Sequence, residues 1–398
     1  MTMESANHGY FRGVAAVGIA ALLVSVTGCK SPGGLIPEGA TLTDKDLALG
    51  WGQARYRESG DYSEQLKVQV ALEGGGTVYT RLFVTNIANA DGRAEVLTKV
   101  SIPNAAPKTG DDADDADDAD DAIGHRDKTR ADQGEWTYGK DRFDITVGTQ
   151  TIRLDTQGAT IHAEGDGFVL DYTIAPQMAP LRPTGGLADF GGVTYLTTIP
   201  IPRGLVKGTL QLTPEDGEPQ TVAFSGVAFV EHRLTTLAPY TMAQRWFKMS
   251  RVSLDETVVL STFQKAPEIG EGLQGWLMVV NADGLQVYEG DLDVVPDGWS
   301  TDPETGYRVP GALFLYDRSH DHFRGVFKLN GITKRKDELK RLSRLERFVV
   351  KRFMKPWVFE HGGAEYLFKA RIGAGAAERA FSGKGRVDVQ QLNPDPKR

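Results

Sequence analysis

Cysteine is almost absent. Cys29 is the only one in 398 residues, so no disulfide can form within the chain and the fold has to rest on buried apolar surface. Long apolar runs are equally scarce: only Gly13 to Gly28 goes that far without a charge, and it is short for a membrane-spanning helix. A strong charge of one sign is missing as well. The formal net charge is −8, and eight aspartates sit in the run "GDDADDADDADDAIG" from 110 to 124. With that run set aside the chain is near neutral, which offers nucleic acid no basic face. There is no nucleophile elbow, phosphate-binding loop or zincin helix. Among the seven histidines, His125, His162 and His361 have no partner motif. His320 and His322 lie two apart with Asp317 nearby, which is short of the ligand set a metal site requires. No metal and no cofactor is expected. At this length two or three domains are expected.

The first residues fit an export signal: Arg12 closes a short polar stretch, and the apolar run leads into Val26-Thr27-Gly28-Cys29. This arrangement resembles the lipobox of bacterial lipoproteins, with Val26 where leucine is most often found. It implies removal of residues 1–28 and acylation of Cys29, which anchors the chain to a membrane at about 0.8 kcal/mol per buried methylene. Lys30 lacks the aspartate associated with inner-membrane retention, so the expected location is the cell envelope, at the outer rather than the inner membrane. Residues 29–58 begin with a stretch rich in Gly, Pro and Thr and are expected to form a tether.

Beyond the tether the dominant period is two. Leu66, Val68, Val70 and Leu72 alternate with polar residues, Gly74 to Gly76 turn the chain, and Val78, Thr80, Leu82 and Val84 resume the pattern. The same alternation marks Phe143 to Val147, Phe168 to Ile174, Leu210 and Leu212, and an apolar run begins at Trp276. Many short strands between Gly, Asp, Asn and Pro turns predict an all-β protein built from antiparallel sandwiches or barrels. The tetrapeptide Asn-Ala-Asp-Gly occurs at 89–92 and again at 281–284; it is either shared hairpin chemistry or a trace of two similar halves. The acidic stretch 108–133 is expected to be a solvated, disordered loop. One amphipathic helix is predicted over 334–355, with Leu339, Leu342, Leu345, Val349, Val350 and Phe353 on one face and Lys340, Arg344, Arg347, Lys351 and Lys355 on the other. It either covers the β-structure or lies on an anionic membrane.

The candidate site lies in "GVAFVEHRLTTL", residues 226–237. On a strand Phe229, Glu231 and Arg233 share one face and His232 the other, so Glu231 and His232 are expected to be neighbours facing apart. Two assignments stay open for Glu231: a solvated ion pair with Arg233, or an inward, desolvated carboxyl kept protonated as a general acid. Downstream, Trp246 alternates with Arg245 and Phe247 and either floors a cavity or packs in a core.

The segments "SEQLKVQVALEGGGTVYTRLFVTN", "GKDRFDITVGTQTIRL", "YLTTIPIPRGLVKGTLQL", "FSGVAFVEHRL" and "APYTMAQRWFKMSRV" resemble, in order and spacing, the superfamily of carotenoid hydratases (hydroxyneurosporene synthases), AttH proteins and fungal survival-factor proteins. The resemblance covers most of residues 60–265. It implies two tandem lipocalin-like domains, 59–236 and 237–398, around a hydrophobic ligand cavity. It places Glu231 and His232 where the hydratases carry an Asp-His pair whose acid protonates an alkene. The expected function is that of an anchored protein binding a lipid or isoprenoid, with Phe229, Arg245 and Trp246 as ligand contacts. The competing expectation is a hydratase, cyclase or isomerase using Glu231 as acid and His232 beside it.

Overall fold

The computed structural model describes residues 42–392, apart from 53–60, 88–90, 104–121, 184–186, 190–193, 214–217, 268–269, 271, 291, 318–321, 342–343, 352–354 and 372–376. The expected signal peptide, Cys29 and most of the tether lie outside the described residues, as does the aspartate run. No helix among the described residues is long and apolar enough to cross a membrane.

Two large antiparallel sheets make up the molecule, of 12 and 10 strands, and both belong to one compact unit. Each curls into a barrel-like shape, in keeping with tandem lipocalin-like barrels. The first sheet runs from Ser63–Leu72 to Gln220–Thr235, and the second from Ala243–Val252 to Glu378–Gln391. In both, the first strand pairs with the last: Leu66 lies opposite His232, and Phe247 opposite Val389. Thr236 to Met242, including the helical turn Pro239–Met242, connects them.

The expected hairpin is formed by Ser63–Leu72 and Thr77–Thr85. Its three turn glycines have φ of 83°, 95° and 90°, which side chains other than glycine's disfavour. Leu66, Val68, Val70, Phe143, Ile145, Leu170 and Tyr172 point into the first barrel, and Phe247, Leu260, Leu277, Phe327 and Phe368 into the second. The strand Thr194–Leu212 carries two register shifts, between Thr198 and Ile201 and between Ile201 and Gly204. Pro200 and Pro202 fall within them, since neither has an N–H to give the ladder.

The two Asn-Ala-Asp-Gly turns are not equivalent. The first joins the second and third strands of its sheet, the second the third and fourth of its own. The tetrapeptide is hairpin chemistry, although the halves do share an architecture.

Three expected boundaries shift. Ala122–Ala131, placed by sequence in the acidic loop, is a strand paired with Arg93–Pro103. It is polar on both faces, so no apolar period announced it. Lys334–Asp337, the expected start of the amphipathic helix, is a strand paired with Trp357–Glu360. The helix itself is only Arg344–Val350, and Phe348 on it is exposed. Finally, the tether region ends in structure: the turn Asp44–Leu47, capped by Thr43, and the segment to Trp51 bury Leu47, Leu49 and Trp51 against the first barrel. Trp51 stacks obliquely on Tyr62 and Trp136.

Candidate functional site

Gln220–Thr235 is held between Ser63–Leu72 and Thr194–Leu212. Its alternation sends Ala228, Val230 and Leu234 into the first core and Phe229 the other way. His232 and Glu231 follow suit, facing apart as expected. The environments differ from both assignments left open for Glu231. Its side points neither to solvent nor into the barrel but onto the second sheet, which covers it to 3% exposure.

Register defines the polar patch there. On the first sheet Arg81, Lys67 and Glu231 lie side by side across three strands. On the second, Asp388, Lys248 and Ser261 do the same. Glu231 Oε2 is 3.4 Å from Lys67 Nζ and accepts a hydrogen bond from Arg233 Nη2 at 3.2 Å. Burial alone would raise the Glu231 pKa. The positive charges of Arg233, Lys67 and Lys248 more than reverse this and hold it at about 2. An acid that is already ionised has no proton to give, so the expectation of a protonated Glu231 fails. Burial pushes the Lys248 ammonium well below its ordinary range. Its Nζ sits 4.3 Å from the centre of the Trp246 ring, a cation–π distance. Arg233 lies over the same ring at 5.9 Å.

Arg81, Arg233, Trp246 and Lys248 border a crevice of about 300 Å³ between the barrels, lined also by Gln65, Phe83, Tyr195 and Gln390 among others. Two of its lining residues, Tyr195 and Trp246, form an aromatic cluster with Phe263. Burial raises the Tyr195 pKa, so its phenol stays protonated; Thr197 Oγ1 donates to its oxygen at 3.1 Å. A larger open depression of about 770 Å³ lies at the far end of the first barrel, beside Leu72 to Gly75 and Phe224. Its acid, Glu73, is already engaged by the Ser225 hydroxyl.

Of the residues predicted from sequence, only Trp246 lines the crevice; Glu231 stands behind Lys67 and Arg233. Phe229 packs between the barrels with Leu181, Ile199 and Trp276. Arg245 belongs to the second barrel's side: its guanidinium lies over Trp299 at 4.6 Å and donates to Gln264. Burial and the neighbouring Arg308 lower its pKa to about 10. His232 is inside the first barrel, its Nε2 2.5 Å from Glu64 Oε1. Glu64 also accepts from the N–H groups of Gly50 at 2.8 Å and Trp51 at 3.2 Å and from the Tyr62 hydroxyl. This buried pair fastens the segment before the first strand to the barrel. Sequence analysis overlooked Glu64, yet it shares the parity of Leu66, Val68 and Val70 and so had to face inward with them. His322 sits in a hairpin turn, and His320 lies outside the described residues. Among the described residues no group of three or more His, Cys, Asp or Glu is placed to hold a metal ion.

Many of the inward side chains of both barrels are gathered in buried apolar clusters.

No protein-family model matches the chain, and no curated protein matches it in sequence. Solved structures do. CghA aligns with 92% of this chain and 96% of its own, at 10% identity and a TM-score of 0.51. The chain shares the fold of CghA. An AttH protein from Nitrosomonas europaea matches 90% of this chain and 98% of its own at 12% identity, TM-score 0.49. Kievitone hydratase from Nectria haematococca matches 91% and 99% at 12% identity, TM-score 0.47. At these identities the likeness concerns the fold, and the crevice has to be judged on its own residues.

Proposed function

We propose that the chain is an enzyme of the hydratase, cyclase or isomerase kind, acting on an unsaturated, largely apolar small molecule in the crevice between its barrels. The observation that carries this reading is the crevice itself: Trp246, the protonated phenol of Tyr195 and the basic side chains of Arg81, Arg233 and Lys248 meet there. The ionised state of Glu231 moves the acid role elsewhere.

Tyr195 is the donor in this reading. A phenol is too weak an acid for an isolated alkene, but it can protonate carbon once negative charge has developed on the substrate. Arg233 and Lys248 stand where such charge would be stabilised. Glu231 positions Arg233 and Lys67 instead of touching the substrate. The chain is further proposed to work at the bacterial envelope, held by acylated Cys29; the Val26-Thr27-Gly28-Cys29 sequence supports this.

The test is incubation of the full chain in D₂O with cinnamate, cinnamyl alcohol and β-ionone, followed by mass spectrometry. Deuterium entering an alkene carbon, and ceasing to do so in Tyr195→Phe, is the expected result. Compounds that bind without exchanging deuterium would overturn the enzymatic reading in favour of simple binding.

A further inference from the structure

Arg81, Arg233 and Lys248 line the crevice, and Arg81 is paired with Glu95 at 3.0 Å. Lys67 and Arg233 share Glu231. Asp388 is engaged bidentately by Arg386, at 2.8 and 2.9 Å. Lys248 has no hydrogen bond from its Nζ among the described residues; its described partner is the face of Trp246. The Nε atoms of Arg233 and Arg81 are buried and have no hydrogen-bond partner. A buried donor without an acceptor is costly, and the crevice beside these residues is walled by Phe83, Tyr195 and Trp246 together with the polar Gln65 and Gln390.

Resting on the site proposed above, we infer that the crevice accepts an unsaturated carboxylic acid, its carboxylate seated on Lys248 and Arg233 and its apolar body laid along Trp246, Tyr195 and Phe83. A carboxylate gives Lys248 Nζ the acceptor it lacks, and the Arg233 guanidinium on the same wall adds positive charge beside it. Its arrival also favours the charged form of Lys248, whose burial otherwise disfavours it. The same seat has a chemical use: water can add across a double bond conjugated to a carboxylate, its oxygen to the β-carbon and the Tyr195 proton to the α-carbon, with the proton lost by the water restoring the phenol. The addition requires that the charge pushed onto the carboxylate oxygens be held, by Arg233 and a charged Lys248.

The inference is tested by isothermal titration calorimetry of the full chain with cinnamate and with cinnamyl alcohol, which share their unsaturated body and differ in the head group. The expected result is that cinnamate binds at least about tenfold more tightly, as a charge-assisted hydrogen bond predicts. In Lys248→Met the ratio of the two affinities falls towards one, and in Lys248→Arg it is kept, which guards against misfolding of the methionine variant. Equal affinities in the unaltered chain, or an unchanged ratio in Lys248→Met, would overturn the carboxylate seat while leaving the crevice as a binding site. Failure of both probes to bind at millimolar concentration would overturn the crevice as well.

Discussion

Replacing Glu231 by glutamine keeps the shape of the side chain and removes its charge. In the folded protein the carboxylate lies against Lys67 and Arg233 and is covered by the second sheet. Its pKa falls from an ordinary 4.5 to about 2, which corresponds to about 3 kcal/mol of stability. The direction in pH follows from the depressed value. The contribution is complete above about pH 4.5 and is lost as the pH falls towards 2, because the unfolded chain then binds the proton first. Glu231→Gln is therefore expected to lose about 3 kcal/mol at neutral pH, with Lys67, Arg233 and Lys248 left facing one another. The assay is urea unfolding followed by tryptophan fluorescence, repeated from pH 7 down to pH 2.5. The unaltered chain should weaken through the acid range, and the difference between the two proteins should shrink as it does. A loss below about 1 kcal/mol at pH 7, or a difference that is constant with pH, would refute the assignment of Glu231 as the ionised centre of the seam.

The other predictions concern separate parts of the molecule. His232→Ala removes one of the four hydrogen-bond partners of buried Glu64 and should cost about 1 to 3 kcal/mol, with faster proteolysis near Gly50 and Trp51; unchanged proteolysis would show that the pair does not fasten them. Gly226→Ala would place a Cβ 2.1 Å from the Ala71 carbonyl oxygen, a backbone atom in a paired strand, and should lower stability by about 1 to 3 kcal/mol in thermal unfolding; an unaltered melting temperature would contradict the register. Cys29→Ser should move the protein from the membrane to the soluble fraction of a bacterial host, and retention in membranes would refute acylation at that residue.

Much of the fold was legible because strands with one wet face print their period in the sequence. Leu66 to Leu72 and Phe168 to Ile174 are cases in point, and the glycines at 74–76 fixed a turn by backbone freedom alone. Strands that are wet on both faces, such as Ala122–Ala131, carry no such period and were taken for loop. The opposite case, apolar on both faces, is the informative one. Val227 to Val230 and Trp276 to Val280 read as unbroken apolar runs because each strand serves its own barrel on one side and the partner barrel on the other. That doubled burial is what places Glu231 in a sealed seam, and no local pattern discloses which sheet will cover it. The parity of Glu64 was available, and only the partner 168 residues away was not.

Pairing the first strand of each sheet with its last ties folding to the far end of the chain. Ser63–Leu72 must wait for Gln220–Thr235, and Ala243–Val252 for Glu378–Gln391. Such distant pairings make for slow assembly, since loop entropy is lost before the contacts reward it. A chain halted anywhere short of its final strand would leave a long, half-apolar edge on view, open to mispairing with another copy. Truncation from the carboxyl end should accordingly be tolerated far less well than the distance of those residues from the crevice would suggest.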